Sequence, residues 1–164
     1  MSTERPQPAS PACLAHEADD AYMGFANKDE IAAFLNELLE AERAGTGVAL
    51  KSGEVAAGTK FAGLLRDVHH DEARWCAMLL KQLKALGVPA STKIGAFQEK
   101  AMAIEGLPER IAFLNRGQGW VVKKLREMLP KVRDEELYRD LDLMLRSHER
   151  NIEMVDHSGL TKSP

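Results

Sequence analysis

Apolar residues recur every three or four positions along most of the chain, which is the spacing of helices that bury one face. The pattern predicts a first helix over residues 28–51 and a second over 58–86. A third is predicted over 108–130 and a fourth over 134–156, with a short helix over 94–104 between the second and the third. Almost no segment alternates apolar and polar residues as a half-buried strand would. The chain is therefore predicted to be all-α.

Residues that start and stop helices stand at the ends of these segments. Asn27 followed by Glu30 has the spacing of a capping box, so it predicts the start of the first helix. Gly53 is expected to end that helix, and Gly87 is expected to end the second. Pro108 suits the first turn of the third helix, where its missing N–H costs nothing.

The lengths of the connections predict how the helices are joined. The first link, around residues 53–57, and the last, around 130–133, are short, so each is expected to join an antiparallel helix pair. The middle link, residues 87–107, is long enough to travel the length of the bundle with a short helix inside it. The prediction is two antiparallel hairpins joined by one long crossover.

The helical pattern occupies one domain with a tail at each end. The domain is expected to cover residues 28–157. Residues 1–27 are predicted to be an N-terminal tail, disordered in part because its first 12 residues are mostly proline, serine and other polar types. Residues 158–164 are predicted to be a short C-terminal tail.

One strongly polar residue lies near the centre of each long apolar stripe. These are Glu42, Glu72, Gln118 and His148 on the first to fourth helices. Burying such a group without a partner costs roughly 1–3 kcal/mol, so four of them at four stripe centres predict a shared site. Thirty residues separate Glu42 from Glu72, and thirty separate Gln118 from His148. The two hairpins are therefore expected to carry these residues at matching depths.

Two features border this polar set. His69 lies one turn before Glu72, at the edge of the stripe, and is either a further ligand or an ordinary edge residue. Gly117 and Gly119 flank Gln118 inside a helix, where each costs roughly 1 kcal/mol relative to alanine. They predict either a local bulge at the site or close packing against a neighbouring helix, and we favour the packing.

Composition limits the classes of partner. The net charge of the 164 residues is −3, and no segment concentrates basic residues, which argues against nucleic acid and anionic membranes as partners. No apolar run approaches a membrane span, and no leader pattern is present, so we expect a cytoplasmic protein. Cys13 and Cys76 form no CxxC motif, and His16 near Cys13 is interpreted as accidental proximity.

Four segments around the polar residues resemble the ferritin-like superfamily, and more narrowly an uncharacterised bacterial branch of it. They are ELLEAERAG (37–45), HHDEARW (69–75), FLNRGQGWVV (113–122) and SHERN (147–151). The resemblance covers roughly residues 28–157 and implies a ferritin-like four-helix bundle with metal chemistry at its centre.

The chain departs from the ligand pattern of the di-iron members, which use two Glu and two Glu-x-x-His pairs. Glu42 and Glu72 match that pattern. The other four positions hold different residue types, namely Trp75, Gln118, His148 and Asn151. A normal di-iron centre is therefore not expected. A mononuclear site, a different metal, or a metal-free centre all remain open.

Two functions follow from these residues. The first is a metal-binding protein with redox or oxygen-related chemistry, in which Glu42, Glu72 and His148 are ligands and His69 is a weaker fourth. Carboxylate and imidazole ligands together suit Fe, Mn or Zn. The second is a non-enzymatic bundle whose polar core is a metal-free hydrogen-bond network. It would act through self-association, as a homodimer, or by binding a partner.

Overall fold

All the regular secondary structure in the described part of the chain is helical, as predicted. The computed structural model describes residues 21–160, and that part contains five α-helices and no strand. The helices are α1 (Lys28–Val55), α2 (Ala62–Leu86), α3 (Phe97–Met102), α4 (Leu107–Met128) and α5 (Glu135–His157). A 3₁₀ turn, Leu129–Lys131, follows α4. Most of the predicted N-terminal tail, including Cys13 and His16, and the end of the C-terminal tail lie outside the described residues.

The predicted start of α1 and end of α2 are confirmed. The side chain of Asn27 accepts a hydrogen bond from the backbone N–H of Glu30, and the Glu30 carboxylate accepts one from the N–H of Asn27, both at 2.9 Å. This is a complete capping box. Gly87 follows α2 in the left-handed conformation, at φ 69°, and its N–H donates to carbonyls of the last turn.

Two predicted helix ends are wrong by about one turn. α1 continues through Gly53 to Val55, because its last turns pack on the start of α2 and bury Ser52 almost completely. That packing outweighs the intrinsic cost of one glycine. The chain reverses later, at residues 56–61, where Gly58 adopts φ 79°, so α2 begins at Ala62 instead of residue 58. The short crossover helix is also shorter than predicted.

The four long helices pack in a ring. α1 contacts α2, α2 contacts α5, α5 contacts α4, and α4 contacts α1. Helices α1 and α5 therefore lie at opposite corners, as do α2 and α4. The short links 56–61 and 132–134 and the long link 87–106 confirm the predicted short–long–short order of connections.

A polar layer divides the apolar core into two clusters. On one side, the cluster includes Leu35, Leu38, Leu79, Leu125, Leu141 and Met144. On the other side, it includes Val48, Leu65, Val68, Ile111, Leu114 and Val155. In every long helix the polar residue found at the stripe centre falls between the two sets.

None of the helices within residues 21–160 combines the length and the apolar character that a membrane crossing requires.

Two glycines allow the short helix α3 to approach α1 and α4. A Cβ at Gly47 of α1 would lie 2.7 Å from Cδ of Gln98, and a Cβ at Gly117 of α4 would lie 2.7 Å from Cζ of Phe97. Both distances are far inside van der Waals contact. The favoured interpretation of Gly117 as a packing glycine is therefore confirmed, with α3 as its neighbour. Gly119 faces open space, so packing does not explain it.

Polar anchors hold the crossover against α1. The Arg43 guanidinium donates to the backbone carbonyls of Ser91 and Lys93. The N–H of Gly95 donates to the carbonyl of Glu40 at 3.3 Å. Because these bonds involve the backbone of the crossover, they fix its path over α1 and the position of α3.

Replacing the two glycines of α4 by alanine should have opposite effects. Gly119→Ala should stabilise the protein by about 1 kcal/mol, because it gains helix propensity and meets no neighbour. Gly117→Ala should destabilise it by about 1–3 kcal/mol, because the new methyl group overpacks against Phe97. Urea unfolding of both variants measures the difference. Equal stabilisation by both would show that α3 does not press on α4.

Candidate functional site

The four polar residues of the stripe centres are buried together in the middle of the helix ring. The exposed fraction is 1% for Glu42, 3% for Glu72, 4% for Gln118 and 1% for His148. All four line the same cavity, which opens between α1, α4 and the crossover. The prediction that they converge in one buried layer is therefore confirmed, whereas their role as ligands stays a prediction.

The four side chains form two hydrogen-bonded pairs across the diagonals of the ring. Nε2 of His148 on α5 lies 3.1 Å from Oε1 of Glu42 on α1. Nε2 of Gln118 on α4 donates to Oε1 of Glu72 on α2. Each pair connects one hairpin to the other, and neither pair lies within a hairpin.

The backbone determines which nitrogen of His148 carries a proton. Nδ1 lies 3.0 Å from the carbonyl oxygen of Met144, and a carbonyl can only accept, so Nδ1 is the donor. In a neutral ring, Nε2 then holds a lone pair that faces Oε1 of Glu42. Two lone pairs at that distance repel each other. The contact is therefore favourable only if one of the two groups is protonated or if a metal ion binds both.

Three oxygen atoms of the layer have no hydrogen-bond donor from the protein. They are Oε2 of Glu42, Oε2 of Glu72 and Oε1 of Gln118, and all three atoms are inaccessible to solvent. A buried acceptor without a partner costs about 1–3 kcal/mol, and a charged one costs more. The centre of the ring therefore has a surplus of acceptors, which favours a cation or a donor there.

The two buried carboxyl groups of the layer favour the binding of protons at Glu72 and His148. Burial, and then the negative charge of Glu42, raise the pKa of Glu72 well above its usual range, and the hydrogen bond from Gln118 only partly offsets this. Burial opposes the protonation of His148, but the charge and hydrogen bond of Glu42 outweigh it, so the pKa of His148 is raised. Both residues hold protons more strongly than they would in water.

His69, the predicted weaker ligand, is placed differently from the other three. Its Nδ1 lies 3.3 Å from the carbonyl oxygen of Thr46, and its ring stacks at a tilt on His70 with 5.9 Å between the centroids. It does not line the cavity that the other three share. Because His69 lies at the edge of the α2 stripe, its imidazole contacts the backbone of α1 and does not reach the centre of the four-helix ring.

Trp75 and Asn151 occupy the two positions where the di-iron pattern has histidines. Both are buried, with exposed fractions of 5% and 2%. Nε1 of Trp75 and Nδ2 of Asn151 have no acceptor from the protein. These are N–H donors that cannot ligate a metal through nitrogen. The set for a second metal ion is therefore incomplete.

Within residues 21–160, no three His, Cys, Asp or Glu side chains are grouped closely enough to hold a metal ion as they stand. Glu42, Glu72 and His148 are engaged in the two diagonal hydrogen bonds. Binding of an ion would therefore require at least one of these bonds to open.

Gly45 is a component of the site that the sequence analysis missed. A Cβ at this position would lie 2.6 Å from Cδ of Glu72, so only glycine leaves room for that carboxyl group beside α1. The available signal was a glycine in the middle of a helix, three residues after Glu42, where it costs about 1 kcal/mol.

Cys76 lies at the edge of the layer, and the charge of Glu42 affects the pKa of its thiol. The thiol lies 4.0 Å from Oγ1 of Thr46 and is partly buried. Burial, and then the charge of Glu42, raise its pKa to about 11. Its thiolate fraction at neutral pH is therefore very small, which makes it a poor nucleophile.

Alanine at Gly45 should be destabilising even though it favours helix formation. We expect Gly45→Ala to lose about 1–3 kcal/mol, because the methyl group displaces the Glu72 carboxyl from its place against α1. Gly53→Ala, in the same helix, has only an ordinary contact with Leu65 and is the matched control. Chemical denaturation of both variants checks this. Unchanged stability in Gly45→Ala would mean that Glu72 moves without cost.

The thiol of Cys76 should alkylate slowly at pH 8, and neutralising Glu42 should accelerate it. A pKa of about 11 in place of 9.0 lowers the thiolate fraction about 100-fold. Because the charge of Glu42 contributes to that shift, Glu42→Gln should react faster than the parent chain, while the exposed Glu54→Gln should not. The measurement is the iodoacetamide rate in a Cys13→Ser background. Equal rates in both variants would refute the electrostatic effect.

A family model described as a domain of unknown function, DUF6306, matches residues 29–157. The match covers all of α2 to α5 and nearly all of α1, so it includes the whole polar layer. Neither the curated proteins nor the solved structures contain a significant match to the chain. The family description does not mention ferritin, and the ferritin-like resemblance therefore stays a prediction. The chain belongs to the DUF6306 family, a domain whose function is unknown.

Proposed function

We propose that this protein is a ferritin-like four-helix bundle that binds one divalent metal ion at its polar layer. Fe, Mn and Zn are the ions whose preferences match the ligands, which combine carboxylate with imidazole. Glu42, Glu72 and His148 would hold the ion, with the amide oxygen of Gln118 as a neighbour. His69 would join them only by leaving the carbonyl of Thr46.

The observation that carries this proposal is the surplus of buried acceptors. Three oxygens of Glu42, Glu72 and Gln118 lack a protein donor, and they come from three different helices. Nε2 of His148, on the fourth helix, also directs a lone pair toward Glu42 when the ring is neutral. A divalent cation would satisfy all of these groups at once, and two carboxylates match its charge.

The residue types fit one ion better than two. The di-iron pattern needs two further histidines, and the corresponding residues are Trp75 and Asn151. The nitrogen atoms of these two side chains are N–H donors, so neither nitrogen can ligate a second ion. A rapid, cage-forming iron-storage activity is therefore not part of this proposal.

The ferritin-like part of the proposal is supported by connectivity. Two hairpins with short links, joined by the long crossover 87–106, are the arrangement of that class. The ring order places α1 opposite α5 and α2 opposite α4, so all four helices contribute one residue to the same layer.

The chain itself orients the imidazole ligand. The carbonyl of Met144 fixes the tautomer of His148, in the way that an outer hydrogen-bond partner fixes a metal-ligating histidine. Gly45 gives the Glu72 carboxyl its place beside α1. A bound Fe or Mn ion would supply redox or oxygen-related chemistry at this position, whereas Zn would supply a Lewis acid.

A metal-free polar core is the alternative, and the two closed diagonal pairs favour it. In that case a proton takes the place of the ion between His148 and Glu42, and Gln118 satisfies one oxygen of Glu72. Self-association as a homodimer, or binding of a partner, is the mode of action predicted from sequence for such a protein.

The substitution Glu72→Gln separates the two functions by the sign of its effect. If an ion is bound, the variant should lose it and melt at a lower temperature, because a ligand at 100 times its Kd adds about 2.7 kcal/mol to the native state. Without an ion, the variant should be equally or more stable, because it removes a buried charge and keeps the shape.

Melting temperatures of the wild type and Glu72→Gln, each with Mn²⁺, with Zn²⁺ and with a chelator, make the comparison. Fe(II) is added under anaerobic conditions as a fourth arm. The exposed Glu54→Gln is the matched control and should respond like the wild type in every arm. A wild type that ignores all three ions and the chelator, together with a stable Glu72→Gln, contradicts the metal proposal.

A further inference from the structure

A cavity of about 480 Å³ opens beside the polar layer, between α1, α4 and the crossover. That volume falls within the range of sites for small molecules. The cavity is larger than a metal ion needs, since one ion occupies only the space between its ligands. The described residues therefore provide room for a second occupant of a different chemical class.

The walls of the cavity are mostly apolar. They are formed by Ala41, Phe97, Phe113, Leu114 and Val121, and by the backbone at Gly117. The rings of Phe97 and Phe113 stack on each other with 4.7 Å between their centroids. Such walls favour an apolar body over a polar one, because they offer it dispersion contacts and no hydrogen bonds.

The inner end of the cavity determines which polar group can enter. Glu42 and Glu72 lie there, together with the unpartnered amide oxygen of Gln118. An anionic group would meet two carboxyl groups in a buried setting, where repulsion is strong. These oxygens are buried as they stand, so a hydroxyl or ammonium group would donate to one of them only after the side chain turns toward the cavity.

The crossover makes this cavity a built feature of the fold. Phe97 occupies the space left by Gly117, and the backbone bonds from Arg43 and Gly95 hold the segment against α1. The wall that α3 provides is therefore anchored on both sides. A site that is already formed binds its ligand without the cost of ordering the protein.

We propose that this cavity binds a small, mainly apolar molecule that carries one hydrogen-bond donor, such as an alcohol or a primary amine, with the donor directed at the Glu72–Gln118 pair. The mouth is lined by Trp120, Arg116 and Glu37, so the apolar body lies between a polar mouth and a polar inner end. This inference does not depend on the metal, because the cavity and the free acceptors are properties of the chain.

Three probes of equal length test the proposal: 1-hexanol, hexanoate and hexylamine. Each is titrated into the full chain treated with chelator, and again in the presence of Mn²⁺. The readouts are the melting temperature and the fluorescence of Trp120 at the cavity mouth, with Trp120→Phe to identify the signal. Hexanol and hexylamine should bind saturably in the chelator-treated protein, and hexanoate should bind at least tenfold more weakly than either.

A filled cavity provides the matched comparison. Ala41→Met places a longer side chain in the cavity and should weaken hexanol at least tenfold. Ala112→Met, at a partly buried position on α4 outside the lining of this cavity, should leave the affinity unchanged. If Ala41→Met fails to fold, Phe113→Leu, which reduces the apolar wall, should weaken hexanol and is used in its place.

The outcomes are separable from those of the metal experiment. Hexanol binding in chelator-treated protein supports the cavity proposal even if no ion ever binds. No saturable binding of any probe to folded protein overturns it. Binding of hexanoate as tight as that of hexanol and hexylamine also overturns it, because the acceptors at the inner end would then exert no selection. Equal binding to wild type and both methionine variants would mean that hexanol binds elsewhere.

Discussion

The structure depends on the cost of placing two carboxyl groups, Glu42 and Glu72, in one buried layer. Water would stabilise both charges, and burial leaves both carboxyl groups almost inaccessible to it. Each carboxyl therefore takes one partner from the opposite hairpin, an imidazole in one case and an amide in the other. Even so, one oxygen of each remains without a donor. Because of this incomplete pairing, a proton or a metal ion at the centre would be stabilised.

Much of the architecture and the polar layer could be predicted from the sequence, because both depend on local periodicity. A polar residue at the centre of an apolar stripe must face the interior, wherever the neighbouring helices lie. The equal spacing from Glu42 to Glu72 and from Gln118 to His148 then placed all four at one depth. Neither step requires knowledge of which helices are neighbours. The ends of α1 and α2 were harder, since tertiary packing carries α1 past Gly53.

Features that depend on contacts between distant segments could not be predicted in the same way. Gly45 makes room for a side chain on another helix, and Gly117 makes room for a ring on the crossover. A sequence pattern shows only that a helical glycine is costly. The position of His69 is a similar case, because the backbone carbonyl of Thr46 holds its ring at the edge of the layer. The cavity itself arises from the path of the crossover, for which no periodic signal exists.

The diagonal placement of the two polar pairs has a consequence for how the chain folds. The α1–α2 hairpin alone would carry two carboxyl groups and neither of their partners, and the α4–α5 hairpin alone would carry an imidazole and an amide without their acceptors. In an undocked half these groups are solvated by water, and only the correctly docked bundle replaces that water with hydrogen-bond partners. Such mutual dependence favours all-or-none unfolding and leaves little population of half-folded molecules. The buried layer thus disfavours incorrect docking, because two hairpins packed in the wrong register would bury these polar groups without their partners.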